Sequence, residues 1–179
     1  MNTYNLIAQA IGIVAMAFNI ISYQQKTRKA VIAFQLFGGI LFSINFFMLN
    51  AIVGCILNAL AVIRAIVFLN KEKLRADRPI WLAGFSIAYV IPYVLTFTVL
   101  GKAPTPLNFI IELLPVIAMI ASTYSFQLTD AKSIRRYGLI SSPSWLIYNI
   151  SSFAIGAIIC EVLSLSSIIL GMIRLDRKE

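Results

Sequence analysis

The sequence predicts an all-α integral membrane protein with seven transmembrane helices. Three observations carry that expectation: a composition too apolar for a water-soluble globule, apolar runs of bilayer length, and basic residues confined to alternate connections. Of 179 residues, 60% are apolar and 12% charged, and mean hydropathy is +0.88, so polar side chains are too few to cover a globule. The formal charge of +8 does not point to nucleic acid, because Lys and Arg fall in short clusters and never form a continuous basic face. Lipid is the implied solvent.

A span needs roughly 20 apolar residues to cross about 30 Å of hydrocarbon. Residues near 5–23 and 80–100 each supply one, and 106–126 supplies another, interrupted by Glu112. The N-terminal run lacks the basic start and small-residue cleavage site of a signal peptide, so it reads as the first span. From Ala30 to Asn70 the only charge is Arg64; as one helix that run would measure roughly 60 Å, so it must fold back, with Asn50 as the expected turn. From Tyr137 to Ile173 the only charge is Glu161, and the same length argument divides it into two spans meeting near Asn149-Ile150-Ser151-Ser152.

Alternate connections hold Lys26, Arg28 and Lys29, then Lys71, Lys73, Arg75 and Arg78, then Lys132, Arg135 and Arg136, and the tail adds Arg174, Arg177 and Lys178. The other side offers only Lys102. The positive-inside rule then places the N-terminus outside and the C-terminus inside.

Sliding the chain on itself by 102 residues superimposes Gln25 on Gln127, Thr27 on Thr129, Phe46 on Tyr148, Gly54 on Gly156 and Ile56 on Ile158. Span lengths and loop charge agree at the same offset, which indicates an internal repeat. A three-helix unit fused directly to its copy would be inverted; one intervening span restores the orientation. The expected plan is therefore 3+1+3, with residues 1–70 as the first triple-helix bundle, 71–103 as a loop and linker helix, and 104–179 as the second bundle and tail. Parallel repeats of this kind are related by an axis along the membrane normal and enclose a central path.

Catalysis has little to build on. His is absent, no nucleophile motif or Gly-rich phosphate loop occurs, and Cys55 and Cys160 sit alone in apolar runs without metal or disulfide spacing. No enzyme activity, cofactor or metal is expected.

The plan and local motifs resemble the SWEET, SemiSWEET and PQ-loop transporters over nearly the whole chain. Ser22-Tyr23-Gln24-Gln25 and Phe126-Gln127 stand where that superfamily has its Pro-Gln dipeptide, keeping Gln without Pro, and Trp145-Leu146-Ile147-Tyr148 is similar to its Trp-Leu-x-Tyr stretch. Glu112-Leu113-Leu114-Pro115-Val116, Leu57-Asn58-Ala59 with Arg64, and Trp145 with Glu161 look more closely like the bacterial YgjV inner-membrane family. That resemblance implies a multi-pass protein of the bacterial inner membrane. The SWEET-like resemblance also implies a solute pocket of Asn in the third helix of each bundle beside Trp or a small residue in the middle helix. Asn58, Trp145 and Ser43 fit it, with Tyr148 in support; Glu161 or Cys160 replaces the second Asn, which puts a neutral sugar in doubt.

Ionisable residues inside a bilayer are functional candidates by default, and Arg64, Glu112 and Glu161 are the three present. Asn58 and Glu161 lie about eight and ten residues from the outer turns, near mid-bilayer, with Arg64 a turn or more deeper. Arg64 and Glu161 would face a common axis and can pair; alternatively the pair is structural, or Arg64 snorkels to the inner interface. Glu112, about 8 Å below the outer surface, is either a hydrated surface group or a vestibule-lining or proton-linked one. Pro115 and Pro143 free backbone carbonyls and, by the resemblance, serve as hinges. Gln25 and Gln127 are inner-gate or solvated loop residues, and Trp145 is a pocket or an interfacial residue. The function expected is a transporter or facilitator of a small polar solute by alternating access, with the lipid bilayer as its other partner; a membrane sensor or assembly partner on the same fold is the alternative.

Overall fold

The computed structural model describes residues 3–49 and 52–177, and every regular element among them is helical. In chain order these are α1 (Thr3–Ser22), α2 (Arg28–Met48), α3 (Ile52–Leu69), the short α4 (Lys71–Leu74), α5 (Pro79–Thr98), α6 (Pro106–Gln127), α7 (Ala131–Ser151) and α8 (Ile155–Gly171), the last running into a wide π-type turn over Met172–Asp176. Five of these stretches are long and apolar enough to cross a membrane: α1, α2, α5, α6 and α8 with its terminal turn. Two depart from that pattern: α3 has a shorter apolar stretch, Gly54–Leu69, and α7 is the most polar of the long helices. The expected turn at Asn50 lies outside the described residues.

Local chemistry sets the starts. Thr27 accepts from Ala30 N–H at the head of α2, Thr105 from Asn108 N–H at the head of α6, and Asp130 from Ser133 N–H at the head of α7; side-chain oxygens at these positions satisfy backbone donors that a helix leaves unpaired. Pro79 and Pro106 stand in the first turn of α5 and α6, where the missing N–H costs nothing. Two boundaries differ from the sequence reading. Lys132, Arg135 and Arg136 belong to the first turns of α7 rather than to a loop. The turn after α7 falls at 152–154, with the Ser151 hydroxyl donating to the Tyr148 carbonyl at the helix end.

On α1 and along the middle of α7, small and polar residues make up the buried face. On α7, Ser141, Ser142, Ser144 and Asn149 are buried, whereas Ile140, Ile147 and Ile150 are exposed. On α1 the buried stripe is Ala8, Ala15 and Ser22, and Asn45 of α2 reaches across to the Ala8 carbonyl at 2.7 Å. Lipid tails are as apolar as Leu, so close approach and buried hydrogen bonds hold such helices together.

Helices α1, α2 and α3 pack in sequence, as do α6, α7 and α8. Between the two triplets α1 meets α8, α2 meets α7 and α3 meets α6, while α5 lies against α3 and α6. The most enclosed of the apolar spans is α6.

Gly171 marks one close approach: a Cβ there would stand 2.5 Å from the Tyr23 carbonyl oxygen and 2.9 Å from Arg135 Cδ. Gly171→Ala is expected to lower stability by about 1–3 kcal/mol through overpacking, while Gly156→Ala, with nothing within 4 Å, is neutral. Thermal unfolding of both purified variants checks this; equal midpoints would contradict the packing of α1 on α8.

Candidate functional site

Arg64 projects from α3 into the protein and is 6% exposed. It therefore does not snorkel. Its guanidinium lies over the Phe126 ring, 4.8 Å from the centroid, and Nη1 donates to the Met119 carbonyl at 3.3 Å and the Thr123 hydroxyl at 3.5 Å. That hydroxyl is 2.9 Å from the Tyr89 hydroxyl of α5. Arg64 Nε is buried without a hydrogen-bond partner.

Glu161 does not meet Arg64, which corrects the pairing expected from span geometry. Its carboxylate accepts from the Ser142 hydroxyl of α7, so it turns inward within its own triplet and not toward the lipid. The ion pairs among the described residues are Lys102–Glu112 and Arg135–Asp176. Depth alone suggested that Arg64 and Glu161 were neighbours. Helix rotation separates them, because Arg64 faces α6 and Glu161 faces α7.

Glu112 is buried, 6% exposed, and is paired with Lys102 rather than left as a hydrated surface group. Beside it lies a cavity of about 10 Å³ bounded by Tyr89 and Thr96 of α5, Pro115 of α6 and Tyr148 of α7, roughly the room of one water molecule. Tyr89 thus joins two clusters, one at Glu112 and one at Arg64.

The remaining pocket residues are brought together less. Asn58 donates to the Gly54 carbonyl and Ser43 to the Gly39 carbonyl, each on its own helix. Trp145 is half-buried and stacks edge-on to Tyr148, 5.9 Å between centroids. Pro115 and Pro143 lie inside α6 and α7. Cys160 is buried and Cys55 half-buried, both as free thiols.

One end of the molecule, carrying the basic connections, is tied together across the triplets. The C-terminal carbonyls of a helix have no partner within it, and here cations supply one. Arg28, at the start of α2, donates from Nε to Phe126 O in the last turn of α6 and from Nη2 to Phe68 O in the last turn of α3, both at 3.0 Å. Arg135 of α7 donates to Gln25 O at 3.0 Å and Tyr23 O at 3.5 Å, just beyond α1. Lys71 donates to Gln127 O, and burial, reinforced by the Arg28 cation, holds its ammonium below the ordinary lysine value. Gln127 reaches back to the Arg78 carbonyl at 3.1 Å. The Gln25 side chain donates to Ile21 O in the last turn of α1; its neighbour Gln24 makes the cross-triplet bonds, to Ser167 O at 2.7 Å and Ser167 Oγ at 2.8 Å.

Sequence reasoning missed Tyr89, Thr123, Ser142 and Gln24 as partners. Hydroxyls inside apolar runs carry no periodic signal. A clue existed for Arg28 and Arg135, whose position near helix ends suits them to cap carbonyls.

The fold and its buried charges define a multi-pass α-helical membrane protein. Residues 6–179 match the family Imp-YgjV, described as bacterial inner membrane protein; the chain belongs to that family and lies in the bacterial inner membrane. No curated protein and no solved structure matches the chain.

The Lys102–Glu112 pair yields a direct test. Removing Lys102 alone leaves a buried carboxylate without its cation, so Lys102→Ala should destabilise more than Lys102→Ala with Glu112→Gln, with a coupling of about 1–2 kcal/mol. Thermal unfolding of the four proteins measures it; strictly additive losses would remove the pair.

Proposed function

We propose that the protein is a transporter or facilitator of a small polar solute that works by alternating access between two triple-helix bundles, and not an enzyme. The observation that carries this reading is the reciprocal packing of the triplets. The middle helices start at Arg28 and Ala131, behind caps at Thr27 and Asp130, an offset of 103 residues beside the 102 that the side-chain identities give. Under an axis along the membrane normal, the first helix of each unit should meet the third of the other and the middle helices should meet each other. The contacts α1 with α8, α3 with α6 and α2 with α7 follow that rule, with α5 as the linker.

Two further features support it. Cross-triplet hydrogen bonds among the described residues cluster from mid-depth to the basic end: Asn19 to Ser164, Gln24 to Ser167, Arg28 to Phe126, Arg64 to Met119, Lys71 to Gln127 and Arg135 to Gln25. In this reading the described state is closed on that side, which the positive-inside rule makes cytoplasmic, and the opposite side is the one free to part. Ionisable groups at intermediate depth, half-buried Glu161 against Ser142 and buried Arg64 against Thr123, then border the solute path. The side chains of Ser43 and Asn58 are bonded only to their own helices and are free to turn toward a solute.

Purified protein in vesicles, offered labelled sugars, nucleosides, amino acids, carboxylates and organic cations, is expected to equilibrate one class well above protein-free vesicles. Glu161→Gln should cut that flux by about tenfold, the scale of one lost charged contact. No flux for any class would overturn the transport reading, and unchanged flux in Glu161→Gln would remove Glu161 from the path.

A further inference from the structure

The guanidinium of Arg64 is left incomplete in a specific way. It is 6% exposed, and no carboxylate among the described residues forms an ion pair with it: Glu112 is paired with Lys102, Asp176 with Arg135, and Glu161 accepts from Ser142. All of its hydrogen bonds leave from Nη1: to Met119 O at 3.3 Å, to Met119 Sδ at 3.9 Å and to Thr123 Oγ1 at 3.5 Å. These are long, and the Met119 carbonyl already accepts the Thr123 hydroxyl at 2.7 Å. Nε has no partner. The unused side is therefore the edge formed by Nε and Nη2, the pair of parallel donors that matches the two oxygens of a carboxylate or phosphate.

A buried cation with neither counter-ion nor a full set of acceptors is costly in a low-dielectric interior. Its surroundings reduce that cost only in part. The Phe126 face below it supplies a cation–π contact, and on its Nη1 side the Thr123 hydroxyl, bonded to Tyr89, accepts from it. Met119, unbranched and flexible, is the side chain in contact that yields most easily. We propose that Arg64 is the anion-binding residue of the protein, taking the oxyanion group of a ligand, carboxylate or phosphate, through its Nε and Nη2 edge. This rests on the transport reading for its biological use and narrows the solute to an anion, but the binding itself does not require transport. Free solute and lipid headgroup share this chemistry.

Thermal unfolding of the full-length protein decides it. One arm adds potassium acetate, benzoate, succinate or phosphate against potassium chloride at equal ionic strength; the other compares nanodiscs of phosphatidylcholine with and without phosphatidylglycerol. An oxyanion in one arm is expected to raise the midpoint saturably over the chloride or phosphatidylcholine control, Arg64→Gln to abolish that rise, and Arg64→Lys, which keeps the charge but not the paired donors, to weaken binding by about tenfold. Should Arg64→Gln not fold, Arg64→Lys alone decides. No specific shift in either arm, or binding unchanged in Arg64→Lys, overturns the proposal. Oxyanion binding lost in Arg64→Lys without vesicle flux would keep the site and remove transport; flux of a neutral or cationic solute unchanged in Arg64→Lys would keep transport and remove the anion.

Discussion

Helix C-termini dominate the energetics of one end of this molecule. Each ends with carbonyls that have no intrahelical partner, and close to hydrocarbon an unsatisfied carbonyl costs several kcal/mol. Arg28 and Lys71 satisfy carbonyls at the ends of α3 and α6, where the sign suits the negative end of the helix dipole, and Arg135 satisfies those of the turn that follows α1. These bonds cross the triplets: Arg28 of the first triplet closes α6 of the second, and Arg135 of the second holds the turn after α1. Basic residues that the composition explains as topological signals are thus also the clasp between the halves, and Asp176 completes it by neutralising Arg135.

The opposite end is built differently. Lys102 and Glu112 pair there between the α5–α6 connection and α6, and the small cavity beside them is walled by α5, α6 and α7 with Leu57 of α3. Polar groups descend one side of α6 from Glu112 through Thr123 to Gln127, spaced to fall on its buried face, with Tyr89 bridging the clusters above and below. Glu161 and Ser142 form a separate polar contact on the α7–α8 side.

Much of the fold was legible in the sequence because helix length in a bilayer is nearly fixed. The two long apolar runs had to fold back, and the helices α2 with α3 and α7 with α8 are the result. At the head of the middle helices the cap equivalent to Thr27 is Asp130, one residue beyond Thr129, which the side-chain identities pair with it. The site was less legible. Depth along a helix follows from counting, but the direction of a side chain depends on how the helix is rotated against its neighbours. For that reason Arg64 and Glu161 looked like partners at similar depth and prove to face different helices. Small residues carried a similar hidden message: Gly171 and Gly138 look like ordinary membrane glycines, yet they are where Tyr23 and Ile168 pack closest.

The account depends on α1 and α8 running in the same direction with their basic ends in contact. Cross-linking in native membranes tests it most directly, using a protein with Cys55 and Cys160 replaced by Ala and cysteines at positions 24 and 167, whose native side chains touch. A short thiol-specific linker should join 24 to 167 readily and should not join 24 to 157, at the far end of α8. Efficient linkage of 24 to 157, with none to 167, would mean that the halves are inverted and that the clasp described here does not exist.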